Sequence, residues 1–250
     1  MKKHVIGVAA ISAGLLMASA QTNATTIDWT GTIRDFSTTH ADMEAHVGGL
    51  DTGAVKATLG ADGNPEFNAA GAGAGFSNEA NFDQWYNDSA ASITSTHTIT
   101  LDDSGHAGTY TYNDSSFFPI DGLLGGNEGN SHNYHFTYEL NGDFTYQAGQ
   151  NFSFTGDDDL WVFIDGVLAI DLGGVHGAAH ASVDLDTLGL ISGNDYDIDI
   201  FFAERHRTQS NFNISTSIVI DPINVSEPAT FALFGLGLIG LGWSRKRKAS

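Results

Sequence analysis

Through the middle of this chain the apolar residues recur at every second position and hardly ever at helical spacing. "NYHFTYEL" alternates Tyr134, Phe136, Tyr138 and Leu140 with more polar residues, the period of a half-buried strand. "DYDIDIFF" sets Asp195, Asp197 and Asp199 on one side and Tyr196, Ile198 and Ile200 on the other, so those aspartates read as a solvated face. "NISTSIVI" alternates through Ile214, Thr216, Ile218 and Ile220 and is predicted to be the last strand. "TSTHTITL" and "GTYTY" form an earlier pair, with a turn expected at Asp102–Gly105. No amphipathic helix of any length interrupts this region. Short strands, Gly/Asn/Asp turns and scarce helix predict an all-β chain, an antiparallel β-sandwich of jelly-roll type with long loops. The Gly- and Ala-rich stretch from Ala41 to Asn81, which includes "AAGAGAGF", is expected to form such loops packed onto the sandwich.

One segment breaks the alternation. In "FTGDDDLWVFIDGVLAIDLGGVH" (154–176), Leu160 to Ile164 is continuously apolar and so predicted to be buried on both faces. Asp165-Gly166 supplies a tight hairpin turn and "VLAIDL" returns as the partner strand. Asp157, Asp158 and Asp159 then crowd together at the mouth of a central strand. Carboxylates this close do not all stay ionised cheaply: a pKa rises or a cation sits among them. A turn or cap needs one Asp, not three. An excess of hard oxygen ligands selects Ca²⁺, which takes six to eight of them, although the twelve-residue EF-hand pattern with its closing Glu is absent.

Other chemistries find less support. His132 and His135 are three apart, His176 and His180 four apart, and His206 lies in "AERHR", but no helix aligns them and no Glu follows His176, so zinc is not expected. There is no Gly-x-Ser-x-Gly elbow and no cysteine, which leaves no hydrolase nucleophile of those kinds. Glu204 beside Arg205 is the best single acid, and an ion pair between the two is the simpler reading.

The ends differ from the middle. Lys2 and Lys3, the apolar run Val5–Ala18 and the small residues Ala18-Ser19-Ala20 have the layout of a secretory signal helix, with a cut expected after Ala20. "VSEPATFALFGLGLIGLGWSRKRKAS" runs from Glu227-Pro228 through an apolar helix into Arg245, Lys246, Arg247 and Lys248, whose charges would hold that end in the cytoplasm. The expected organisation is a signal segment at 1–20, one domain at 21–222 and a sorting or anchoring segment at 223–250. The middle keeps only Arg34, Lys56, Arg205 and Arg207 against nearly all thirty acidic residues of a chain whose net charge is −20. Such a domain repels nucleic acid and suits divalent cations or neutral ligands.

Two family resemblances follow from these residues. The tail resembles the PEP-CTERM sorting signal, with Ser226 where that family usually has proline. The resemblance implies an exosortase-type partner that cleaves near Glu227-Pro228 and releases the protein at the cell surface. "GTIRDFSTTHADMEA", "FDQWY", "FFPIDG", "HNYHFTYEL", the segment 154–177 and "DIFFAERHRTQSNFNISTSI" resemble, in that order, the fibro-slime domain of secreted bacterial and slime-mould proteins. Ala41 stands where that family usually has proline. That domain is similar in turn to the protective-antigen-type β-sandwich of toxins, glycosidases and yeast flocculins. In the flocculin branch a Ca²⁺ on an adjacent, cis-linked Asp pair binds sugar. The resemblance implies Asp157-Asp158 for that pair, ahead of the Asp165-Gly166 turn, and leaves Asp158-Asp159 open. Trp161 beside the aspartates is a candidate for stacking on a sugar, with a core position the reading that the surrounding apolar run favours. The flocculin loop that supplies further ligands has no clear match here, and Asn211 and Asn213, late in the domain, are candidates. The expectation is a non-catalytic Ca²⁺-dependent protein that binds a glycan or exopolysaccharide for adhesion in the extracellular matrix. The alternatives are a matrix protein with a purely stabilising Ca²⁺ and an enzyme acting on polysaccharide.

Overall fold

The computed structural model describes residues 24–44 and 47–223. The signal segment and the sorting tail, with Glu227, Pro228, Arg245, Lys246 and Arg247, lie outside the described residues. In chain order the elements are β1 (Thr26–Phe36), β2 (Val55–Leu59), β3 (Pro65–Phe67), the single turn α1 (Glu79–Phe82), β4 (Ser92–His106), β5 (Thr109–Asp114) and β6 (Phe136–Thr145). There follow β7 (Asn151–Asp157), β8 (Asp159–Ile164), β9 (Val167–Leu172), β10 (Ala179–Asp184), a 3₁₀ turn (Leu185–Leu188), β11 (Asp195–Glu204), β12 (Asn211–Thr216) and β13 (Asp221–Pro222).

The strands pair antiparallel in the order β10-β7-β12-β5-β4-β1-β6-β11-β8-β9-β2-β3, with β13 beside β6. This sheet folds over on itself. Phe212 of β12 and Phe202 of β11 are far apart in strand order, yet their ring centroids lie 5.1 Å apart across the interior, and Phe154 of β7 meets both. The result is the expected sandwich. Its interior collects the alternate apolar residues, among them Trp29, Tyr138, Leu140, Leu160, Val162, Ile198, Ile200 and Ile214.

A second core lies on the outer face of β8 and β11. Trp161, Phe163, Phe201 and Ala203 point away from the sandwich interior and are covered by Val55, Phe67, Phe76, Phe82, Trp85 and Tyr86. The Gly-rich segment therefore supplies a lid of aromatic residues as well as loops. With both faces covered, every residue of β8 is buried, which accounts for its unbroken apolar run. Asp165 and Gly166 both have positive φ, 53° and 68°, as a two-residue type I′ hairpin turn requires.

Three expectations are corrected. Asp102–Gly105 is not the hairpin turn. β4 runs on to His106 and the chain reverses at Ala107-Gly108, because Asp102 Oδ1 takes the Ser104 N–H at 3.0 Å and holds a bulge within the ladder. β12 is not the last strand, since the chain turns after Ile220 to add β13. Asp195 and Asp197 are exposed, but Asp199 is buried and accepts from Asn141 Nδ2 at 2.9 Å.

Burial pushes the Asp199 carboxyl up to about 6 from 3.8. The folded chain thus takes up this proton before the unfolded chain does. The stabilisation is complete below pH 3.8 and is lost as pH rises through about 6. Asp199→Asn keeps an acceptor for Asn141 and removes the buried charge. It is expected to exceed the parent by about 1–3 kcal/mol at pH 7.5 and to match it near pH 4, read from urea midpoints. Destabilisation at pH 7.5 would contradict this account.

Candidate functional site

The three aspartates sit where the chain crosses from one layer of the sandwich to the other. β7 ends at Asp157 beside β12 and β10, while β8 begins at Asp159 beside β11 and β9. Two more crossings occur at the same end, at 205–210 between β11 and β12 and at 173–178 between β9 and β10. Loops that leave a sheet carry backbone N–H groups with no ladder partner, and when buried these need acceptors. The aspartates provide them. Asp157 Oδ1 accepts from the Asn211 N–H at 2.6 Å and from its Nδ2 at 2.9 Å. Asp158 accepts from the His176 N–H at 3.2 Å and the Arg205 N–H at 3.0 Å. Asp159 Oδ1 accepts from the Gly174 N–H at 2.5 Å. The peptide between Asp157 and Asp158 is cis.

Asp159 has a second partner that separates it from the other two. Arg205 Nε donates to Asp159 Oδ2 at 2.6 Å and Nη2 donates to Oδ1 at 3.1 Å, with both side chains wholly buried. The guanidinium also donates through Nη1 to the carbonyls of Asp42 and Gly75, and it lies 4.8 Å from the Phe76 ring and 4.7 Å from that of Trp85. One cation thus joins the crossing loops to the aromatic lid. Glu204, the expected partner of Arg205, makes no ion pair with it. Successive strand residues point to opposite faces, and the guanidinium is already taken by Asp159.

Glu204 is instead fully buried beside the Asp pair. The His206 N–H reaches its Oε1 at 3.2 Å, and Oε2 has no hydrogen-bond partner among the described residues. The buried Ser210 hydroxyl is near enough to favour the ionised form but lies outside hydrogen-bonding geometry. Burial first, then repulsion from Asp158, holds the Glu204 carboxyl well above the usual range. Burial first, then Asp159, does the same to Asp158. Asp157 is raised by burial and partly restored by the Asn211 hydrogen bonds.

Asn211 meets the cluster by donating to Asp157, but Asn213 does not reach it. Its Nδ2 donates to the Thr155 carbonyl, along the sheet from the aspartates. Trp161 is corrected as well: it is 0% exposed, packs on Phe82 and Trp85 and donates from Nε1 to Asp171, so it offers no face to a sugar. His135 and His206 both approach Glu44, at 2.8 and 3.6 Å, and the other histidines lie apart. His132 bonds Asp121, His135 bonds Glu44, His180 bonds Thr155, and the His176 ring faces the carbonyls of Leu172 and Gly177. Among the described residues no three His, Asp or Glu side chains form a ready-made metal shell. A divalent ion here would have to draw on backbone, amide or ligand oxygens. Beside the crossings lies a recess of about 210 Å³ between 48–51, Ala74-Gly75 and Gly174-Val175, rimmed by exposed Leu50.

Fold and site together define a β-sandwich with a carboxylate-tied crossover end. Residues 119–228 match the PA14 domain, the protective-antigen-type domain, and residues 224–247 match the PEP-CTERM protein-sorting motif. Among curated proteins, protein psiQ of Dictyostelium discoideum is 39% identical over 186 residues, 68% of this chain and 19% of that protein. Protein psiD of the same organism is 36% identical over 211 residues, 78% of this chain and 41% of that protein. The chain thus spans well under half the length of these relatives. Two similar solved structures are the PA14 domain of the antifreeze protein MpAFP and a PA14 sugar-binding domain from an RTX adhesin. The first has 12% identity, a TM-score of 0.37 and coverage of 84% of this chain and 98% of that one. The second has 14% identity, a TM-score of 0.32 and coverage of 71% and 96%. Likenesses this loose carry no inference about the site. Among the described residues no helix is long and apolar enough to cross a membrane.

The Arg205–Asp159 pair yields a direct test. Arg205→Met strands a buried carboxylate and is expected to cost about 3–5 kcal/mol in urea unfolding. Adding Asp159→Leu should recover part of that loss. A single change costing under about 1 kcal/mol would show that the pair does not hold the lid.

Proposed function

We propose that this chain is an exported, non-catalytic carbohydrate-binding protein for adhesion at the cell surface, whose Asp157-Asp158 pair holds Ca²⁺ with the glycan completing the ion's shell. The observation that carries this reading is a charge imbalance inside the protein. Four carboxylates, Asp157, Asp158, Asp159 and Glu204, are at most 4% exposed, and the fixed positive charge among them is the Arg205 guanidinium. Buried charge without a partner is costly, and Glu204 Oε2 has no hydrogen-bond partner among the described residues. A divalent cation relieves both. Asp157 and Asp158 fit as ligands because Asp159 is committed to Arg205. The Asn211 side-chain amide, which meets Asp157, and the 205–210 crossing adjoin the pair. When bound, Ca²⁺ would supply open coordination positions for sugar hydroxyls.

The PA14 match favours a ligand-binding module, and the adjoining recess offers space for one. The PEP-CTERM match favours delivery through an exosortase-type processing enzyme at the C-terminus. A second reading, Ca²⁺ for stability alone, is favoured by the hydrogen bonds that each aspartate already accepts from a crossing loop.

Two measurements separate these readings. Saturating Ca²⁺, at a hundred times its dissociation constant, should add about 2.7 kcal/mol to stability. That gain should vanish in Asp157→Asn and Asp158→Asn. On a glycan array the parent should bind with Ca²⁺ and lose binding in chelator. A Ca²⁺-dependent gain in stability with no glycan bound would favour the stabilising role, and glycan binding that survives chelation would refute the Ca²⁺ bridge.

A further inference from the structure

A second recess, of about 220 Å³, lies at the same end of the sheet, two strands along from Glu204, between the end of β1, the start of β4 and the loop 122–129. Asp35 and Glu128 are its ionisable lining groups, Phe36 and Ile93 line it with carbon, and the Ile93 side chain stands half exposed beside it. Asp35 is 5% exposed and is held in place from behind: Gly125 N–H donates to Oδ2 at 2.7 Å and Asn133 Nδ2 donates to Oδ1 at 2.9 Å. A carboxylate has about four acceptor positions, so two bonds leave half of them open. Ser92 Oγ, also in the lining and shielded from solvent, has no hydrogen-bond partner among the described residues.

Gly125 keeps the recess open. A Cβ built on it would stand 3.1 Å from Asp35 Oδ2 and 3.8 Å from Ile93 Cδ1, between the carboxylate and the apolar wall. Among the described residues no Lys or Arg pairs with Asp35, and the ring of His135, which is near enough to act on it, is bonded to Glu44. Arg34, its neighbour on β1, points to the opposite face and donates to Glu139 at 2.9 Å. Glu128 is engaged by Ser37 and the Thr38 N–H.

We propose that this recess is a ligand site for a primary ammonium group carried on a small carbon frame, with Asp35 as its counter-charge, Ser92 as a hydrogen-bonding partner and Ile93 against the frame. The charge decides between an amine and a neutral hydroxyl ligand. Burial, and more weakly repulsion by Glu128, raises the Asp35 carboxyl; a hydroxyl donor offsets the first only in part, whereas an ammonium brings the opposite charge that offsets both. The ammonium could belong to an amino sugar or to a lysine side chain.

Calorimetric titration of the full chain in chelator tests this independently of any Ca²⁺ site, with glucosamine, glucose and Nα-acetyl-lysine amide as probes. At least one amine is expected to bind while glucose does not, and the tighter amine names the source. Asp35→Asn should weaken that binding about tenfold or more. Gly125→Ala should do the same with the thermal transition unchanged, and it decides the matter if Asp35→Asn fails to fold. Binding of neither amine, equal binding of glucose, or undiminished binding in Gly125→Ala overturns the proposal.

Discussion

Arg205 and Asp159 form the contact on which the rest of this structure hangs. A guanidinium with 0% exposure is tolerable only if its donors are met. Here they reach a carboxylate on β8, two carbonyls in the 42–75 segment, and the faces of Phe76 and Trp85. The pair therefore fixes two relationships at once. It sets β11 against the start of β8, and it ties the Gly-rich segment down as the second layer over Trp161 and Phe201. Arginine suits this position because its planar fork can donate in several directions while lying against two aromatic rings, which lysine cannot do.

The same contact explains why three aspartates stand in a row. Between them they accept from both other crossings, Asp157 at the end of 205–210, Asp159 in 173–178 and Asp158 in both, so the sandwich end is closed by carboxylates and not by a further strand. Among the described residues, Asp159 alone of the three forms an ion pair with a protein cation. Asp157, Asp158 and Glu204 remain as a buried acidic group at the point where the loops are already fixed. A scaffold that immobilises oxygen ligands on rigid strand ends is what a hard cation needs. On the proposed reading, structural and ligand-binding roles share one set of residues.

Much of this was legible in the sequence, for identifiable reasons. Period-two alternation located β6, β11 and β12, because one face of each strand meets the interior. The unbroken run in β8 implied burial on both faces, and the aromatic lid supplies the second. Trp161 shows the limit of that reading. Inside a run where both faces are buried, alternation no longer says which side chain faces a ligand, and the indole went to the lid. Glu204 and Arg205 were read as partners because they are adjacent and opposite in charge. Adjacent residues on a strand diverge, and the true partner of Arg205 is forty-six positions away. Asp199 reads as exposed from alternation alone, and its burial depends on how neighbouring strands cover that face. Long-range pairing of this kind leaves no local signal.

The central claim is that the buried acidic group around Asp157 and Asp158 is a Ca²⁺ site. An anomalous difference map from crystals grown with Ca²⁺ tests it most directly. The account predicts one strong peak about 2.3–2.6 Å from oxygens of both Asp157 and Asp158, with Asp159 still bound to Arg205. A map with no peak there, with ordered water in its place at saturating Ca²⁺, would contradict it.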